Sequence, residues 1–281
     1  MTPLHRFRLL ARRTLGELLY RARLQREHPT TLCVLMYHAV TEDRIEDHGQ
    51  QSVPAELFDA QMAFLRGLGY PVVPLEEGVR LLQARAPGGP WISVTFDDGY
   101  AGVYQYAAGI LRRHRIPAVL FLATGSIGHD IFPWSDPALG RPLRWEEVRS
   151  LMREVGCSVG SHSHSHTVLT ALDPDAIRRE VVRSRAEILR QTGVRPRLFA
   201  YPYGSTGTFD ARTCRILVEE GFPVACTSLW GRQAPKEDPM RIKRIRVSWC
   251  DSPRELHKAI SGWYDWYPAV QVALAAASMI K

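Results

Sequence analysis

Two short stretches hold the residues with most chemistry to offer. "TFDDGY" at 95–100 sets Asp97 beside Asp98, and "SHSHSH" at 161–166 spaces His162, His164 and His166 two apart. Two imidazoles and one carboxylate make a ligand set for a divalent transition metal that leaves positions open for water and substrate. A metal held that way lowers the pKa of water and polarises a carbonyl. A second carboxylate can take the water's proton, and a protonated histidine can pass one to a leaving amine. The combined chemistry is metal-assisted amide hydrolysis. Neither piece decides alone, because Asp-Asp-Gly is also a common turn and HxxxH recurs on surface helices; together at strand ends they carry the reading. The histidine spacing has two geometric solutions. An extended segment puts all three side chains on one face. A helical turn stacks His162 and His166 at i and i+4 and turns His164 away.

Groups so far apart in the chain need a frame that brings strand ends together. Apolar runs predict strands at 31–37, 70–75, 91–96, 117–124, 157–161, 197–201, 223–228 and 241–248. Between them, helical periodicity spans 53–69, 76–85, 102–114, 144–155, 173–193, 208–221 and 252–264. The 173–193 helix carries an Asp cap and ends at glycine. Repeated βα units with strands apolar throughout imply an α/β fold whose parallel sheet is covered by helices. About seven units in this length favour a closed or nearly closed barrel, and no GxGxxG follows the first strand to suggest a dinucleotide fold. Active sites of such barrels lie at the C-terminal ends of the strands. His38 follows the first strand, Asp97 and Asp98 the third, His162 the fifth and Tyr203 the sixth. Each alone reads as an ordinary loop polar residue; together they mark one rim.

The rest of the chain narrows the class. With 45% hydrophobic and 23% charged residues, the 281-residue chain reads as a soluble protein with a sizeable core. Residues 1–30 carry seven arginines and two glutamates, most of the net charge of +7. No basic patch interleaved with aromatics stands elsewhere, so nucleic acid is not an expected partner. Phe7, Leu10, Leu15, Leu18 and Leu19 fall near helical spacing among those arginines. The segment is either a basic amphipathic helix lying on an anionic membrane surface or a solvated helix packed on the body. Five scattered cysteines without a CxxC pair read as buried free thiols in a reducing compartment. The N-terminal apolar run is too short for a signal peptide, and the apolar tail at the C-terminus is too short to span a bilayer. The expected location is cytoplasmic, with residues 1–30 as the candidate membrane contact. The expected domains are 1–30 (basic segment), 31–262 (barrel) and 263–281 (apolar tail).

The motifs resemble those of a known family. "TFDDGY" and "HSHSH" look like the first two motifs of the polysaccharide deacetylases (NodB homology, carbohydrate esterase family 4), and "FAYPYG" at 199–204 is similar to the third. The resemblance covers roughly residues 31–250. It implies a distorted (β/α)7 barrel of NodB-homology type and a metal centre of zinc or another divalent transition metal. It implies Asp97 as catalytic base, Asp98, His162 and His166 as metal ligands, and the Tyr203 backbone N–H as oxyanion donor. His164 fills the variable middle of the second motif, which favours the helical-turn solution and leaves that residue facing groove or solvent.

Two departures stand out. Ala200 occupies the place of the arginine that usually orients the base; Arg244 in "RIKRIRV" is the candidate substitute, with Arg246 second. The late Leu-x-His motif that supplies the general acid is missing. "LMYHAV" at 35–40 resembles the N-terminal motif of the branch containing the poly-β-1,6-N-acetylglucosamine deacetylases, which implies His38 as the acid; otherwise it is a strand-end histidine that only hydrogen-bonds. His48, His114, His129 and His257 are expected to face solvent. Trp134 or Trp230 is a candidate wall of the sugar groove. The expected activity is zinc-dependent N-deacetylation of an N-acetylated sugar in a polysaccharide, oligosaccharide or lipid-linked glycan, with exopolysaccharide biosynthesis as its setting. The alternatives are a deformylase or amidase on a lipid-linked sugar, and an inert glycan-binding barrel.

Overall fold

The computed structural model describes residues 14, 17, 30–47, 49 and 51–266. Seven parallel strands close into a barrel: β1 (Leu32–Tyr37), β4 (Trp91–Phe96), β5 (Ala118–Leu122), β6 (Ser158–Ser161), β7 (Leu198–Ala200), β8 (Val224–Trp230) and β9 (Ile242–Arg246). Closure is made where β9 pairs with β1 through Leu35↔Ile245 and Met36↔Arg246. A small parallel pair, β2 (Ala39–Thr41) and β3 (Ser52–Pro54), stands outside it. The helices are α1 (Ala55–Gly67), α2 (Leu75–Gln83), α3 (Ala108–His114), α4 (Trp145–Ser150), α5 (Pro174–Thr192), α6 (Ala211–Glu219) and α7 (Pro253–Ile260).

The apolar strands are buried on both faces, as a parallel barrel demands. In β1, Leu32 and Val34 join one cluster with Val119, Phe121, Leu198, Ala200 and Cys226, whereas Cys33, Leu35 and Tyr37 join another with Phe58 and Met62 of α1. The period of two sorts neighbouring side chains between the two layers. Helix α5 starts where the sequence places it: the Asp173 carboxylate accepts the Ala176 N–H at 2.8 Å, Pro174 occupies the first turn, and Gly193 ends the helix at φ 74°.

Several elements differ from the sequence expectation. The segment 70–75 contributes only a single bridge, Val72↔Ile92. Pro71 and Pro74 lack the N–H groups a ladder needs. Residues 53 and 54 belong to β3, so α1 starts two residues late. The helices expected at 102–114 and 144–155 each contain a π-helical turn, at Val103–Ala107 and Leu151–Val155. No α-helix joins β8 to β9; a 3-10 turn at Pro239–Arg241 does, and this makes the barrel a distorted one. His114 is half-buried on Asp59 and His257 half-buried against the Phe64 ring, whereas His129 is exposed. His48, the residues 267–281 and all of 1–29 except Thr14 and Glu17 lie outside the described residues, and so therefore does the amphipathic-helix expectation. Glu17 itself pairs with Arg254 and Lys258 of α7. Among the described residues no helix is long and apolar enough to cross a membrane.

Gly102 shows how closely the outer pair sits on the barrel. A Cβ there would collide with the Val40 carbonyl oxygen of β2, whereas one at Gly109 of α3 would meet nothing. Gly102→Ala is expected to lower unfolding stability by about 1–3 kcal/mol, and Gly109→Ala to raise it by about 0.5–1 kcal/mol, as read from urea midpoints.

Candidate metal centre and active site

The C-terminal strand ends bring the candidate residues together. Asp97 continues the β4–β1 ladder, its N–H donating to the Tyr37 carbonyl at 2.9 Å, which sets it beside His38. His162 continues β6 in the same way, donating to the Leu122 carbonyl at 2.9 Å. The chain then turns sharply at Asp98. Its φ is 68°, and Gly99 N–H donates back across it to the Asp97 carbonyl at 2.8 Å. Tyr203 repeats the device at φ 62°, with Gly204 N–H donating to the Pro202 carbonyl at 2.7 Å. Both are γ-turns centred on a non-glycine residue, a strained conformation that the surrounding fold must hold.

The turn at Asp98 separates two adjacent carboxylates. Asp97 is 2% exposed and is gripped by Arg244, whose Nη1 and Nη2 donate to its two oxygens at 2.7 and 2.6 Å. Arg244, 1% exposed, is itself anchored by the Thr227 carbonyl at 2.7 Å and Thr95 Oγ1 at 3.3 Å. Thus an arginine from β9 makes the contact to Asp97, while Ala200 lies in the barrel interior and lends its carbonyl to His162. Arg246 turns instead to the Gly49 carbonyl at 3.3 Å. Burial alone would push the Asp97 pKa up, but the Arg244 charge outweighs it and holds the group below the usual carboxylate range.

Asp98, 1% exposed, faces the histidines: its Oδ1 lies 3.3 Å from His162 Nε2 and 3.2 Å from His166 Nε2. These three donor atoms lie within 4.8 Å of one another. The buried Oδ1 has no well-formed hydrogen bond among the described residues. His162 Nδ1 faces the Ala200 carbonyl at 2.8 Å, which fixes the proton there and leaves Nε2 as a lone-pair donor. One carboxylate oxygen and two imidazole nitrogens, buried and convergent, fit a borderline divalent cation such as zinc. Burial opposes charge on Asp98, yet the two histidines hold it well below the ordinary range. Burial likewise opposes charge on His162, but Asp98 and Asp97 prevail and raise its pKa.

The expected pairing of His162 with His166 is present, but not through a helical turn. The segment is an irregular bend in which Ser163 (φ 61°) and His166 (φ 58°) adopt left-handed backbone. Ser163 Oγ accepts the His166 N–H at 3.1 Å, a local bond that competes with helix. His164 faces neither groove nor open solvent alone. It is half-buried, and its Nδ1 lies 3.0 Å from Thr124 Oγ1.

Aromatic rings wall the centre. Trp134 stacks on the His166 ring at 4.3 Å and 13°, and the ring of Tyr203, 49% exposed, lies tilted at 54° with its centroid 4.8 Å from that of His166. Trp230 instead packs edge-on against Tyr264. His38 is buried with Nδ1 unpartnered among the described residues. Burial lowers its pKa to about 4 although Asp98 and Asp97 favour the charged form. Sequence reading did not single out Thr95 and Thr227, which seat Arg244. The polar hydroxyls inside otherwise apolar strands were the available signal.

Comparison with known proteins gives a consistent result. The model of the polysaccharide deacetylase family matches residues 84–225, half of the chain. YxkH of Bacillus subtilis is 27% identical over 226 residues, spanning 80% of this chain and 74% of its own. The solved structure of IcaB from Ammonifex degensii superimposes with TM-score 0.68 at 25% identity, covering 85% of this chain and 97% of that one. The Streptococcus pyogenes deacetylase PplD, in complex with acetate, shares the fold with TM-score 0.70 at 22% identity, over 83% of this chain and 99% of its own.

A metal at this centre must displace the proton that the raised His162 pKa retains. Metal affinity is therefore expected to weaken as pH falls, by about tenfold per unit for each proton displaced. The climb with rising pH should continue above about 6.5, the ordinary histidine value. Competition titration against a chelator of known affinity at several pH values measures the slope.

Proposed function

The chain belongs to the polysaccharide deacetylase family, and from that premise we propose a metal-dependent reaction mechanism built on Asp97, Asp98, His162, His166, His38, Arg244 and Tyr203. The overall reaction is hydrolytic removal of N-acetyl groups from a glycan. The observation that carries the mechanism is the pairing of a buried Asp98–His162–His166 donor set with an Arg244-clamped Asp97 on the same rim.

Asp98, His162 and His166 would hold the cation, with zinc the metal that best suits one carboxylate and two imidazoles. When bound, it supplies Lewis acidity towards the acetamide carbonyl and a lowered water pKa. Asp97 is the base: Arg244 keeps it ionised and fixes both its oxygens, so the carboxylate is ready to take a proton from the attacking water. The Tyr203 N–H takes the oxyanion; among the described residues no acceptor occupies it. His38 delivers the proton to the leaving amine. Burial keeps it neutral at rest, so the proton is one it acquires during the cycle, passed on from Asp97 after the water has been deprotonated. The balance is one water consumed, one amide C–N bond broken, and acetate and a free amine formed.

The glycan class follows from the His38 motif, which resembles that of the poly-β-1,6-N-acetylglucosamine deacetylases, and from the Trp134 and Tyr203 rings beside the centre, which suit the apolar face of a sugar. The cytoplasmic setting and a contact of residues 1–30 with anionic lipid belong to the same proposal.

Acetate release from a panel of N-acetylated oligosaccharides tests it, using protein stripped of metal and then reloaded. Acetate is expected only from reloaded protein, and Arg244→Lys, which loses the two-pronged grip, should cut kcat at least about tenfold at unchanged metal content. Formate from N-formyl substrates without acetate from N-acetyl ones would overturn the assignment.

A further inference from the structure

The bend between the two histidine ligands is held on two sides. The loop after β5 takes its carbonyls, Gly125 N–H donating to the His164 carbonyl at 2.7 Å and Thr124 N–H to the Ser163 carbonyl at 3.3 Å. Side chains, two of them on α5, hold its N–H groups and the strand end before it. The four successive backbone N–H groups of the bend, Ser163 to His166, all donate to side chains. Ser163 N–H reaches Ser161 Oγ at 3.3 Å, and His166 N–H reaches Ser163 Oγ at 3.1 Å. The middle pair share one oxygen of Glu180 on α5: His164 N–H at 3.0 Å and Ser165 N–H at 2.8 Å. The other Glu180 oxygen accepts the Ser165 hydroxyl at 2.9 Å. One helical turn on, the fully buried Ser184 meets Ser161 Oγ at 2.8 Å. Glu180 and Ser184 are thus i and i+4 on one face of α5, the first bonded to the bend and the second to the strand end that leads into it.

The arrangement does more than anchor a loop. Two residues of the bend hold left-handed backbone, and one of them is the ligand His166. Such conformations persist only where neighbours over-determine them. The Glu180 carboxylate is charged, so its bonds to the two N–H groups are of the stronger kind. It grips the stretch whose shape sets the distance between His162 Nε2 and His166 Nε2. We infer that Glu180 is a positioning residue of the metal centre: by fixing the His164–Ser165 peptide it sets the bite of the two histidines and thereby the affinity for the cation. This rests on the reading of Asp98, His162 and His166 as metal ligands.

Purified wild type, Glu180→Ala, Glu180→Gln and Arg179→Ala are compared in three measurements: zinc affinity by chelator competition, thermal stability of the metal-free protein, and amide exchange at His164 and Ser165 without metal. Loss of an outer partner of a ligand typically weakens metal binding by about 10–100-fold, the fall expected for Glu180→Ala. Glu180→Gln keeps an acceptor oxygen but no charge and should lie between that variant and wild type. Arg179→Ala, on the exposed side of the same turn, should match wild type. Amide exchange at the two sites should quicken in Glu180→Ala. Zinc affinity within twofold of wild type in Glu180→Ala would overturn the inference, even if stability fell, since the residue would then be a staple only. Should Glu180→Ala not fold, Glu180→Gln carries the comparison, and wild-type affinity in it overturns the inference likewise. If wild type takes up no zinc, the ligand assignment itself fails, and this inference with it.

Discussion

Two adjacent carboxylates buried at the end of one strand need two different partners. Asp97 and Asp98 are 2% and 1% exposed, and taking an ion out of water costs several kcal/mol unless it is paired. The γ-turn at Asp98 points them apart, one towards a guanidinium, the other towards two imidazoles. That separation governs the architecture around it. β9 must close against β1 to deliver Arg244, and β6 must stand two strands from β4 so that the bend after it can return His162 and His166 to Asp98. The barrel is the frame that lets residues 147 positions apart share one bidentate contact.

The same separation divides the chemistry. A carboxylate held ionised by arginine is suited to accept a proton, and one facing two nitrogen donors is suited to hold a cation. Left-handed backbone at Asp98, Ser163, His166 and Tyr203 gathers around the centre because no regular strand or helix can aim these groups at one point. In the bend between the histidines, the side chains of Ser161, Ser163 and Glu180 take up the four N–H groups that the irregular backbone leaves over. The stacked ring of Trp134 adds an apolar wall where His166 would otherwise be open to water.

Much of this is legible in the sequence because a parallel barrel writes itself in apolar runs. Strands β1, β4 and β5 read directly, and His38 and Asp97, which follow the first two of them, mark the rim. The 70–75 run misleads because its valines look like strand while its prolines forbid a ladder. The HSHSH spacing gives the ligand pair but not the backbone that joins it, since a helical turn and a left-handed bend both bring i and i+4 together. Arg244 could be nominated but not placed: only the closure of β9 on β1 carries it to Asp97. Glu180 gave no signal, as one of several acidic residues on a charged helix, because its partners are backbone N–H groups that a sequence does not display.

The division of labour between Asp97 and Asp98 is the centre of the account. It is tested by measuring bound zinc per protein molecule and acetate release in the same samples of Asp97→Asn and Asp98→Asn. The expected result is full zinc with acetate release down by at least about a hundredfold for the first, and loss of both for the second. Zinc lost from Asp97→Asn but kept by Asp98→Asn would contradict the assignment of the two carboxylates.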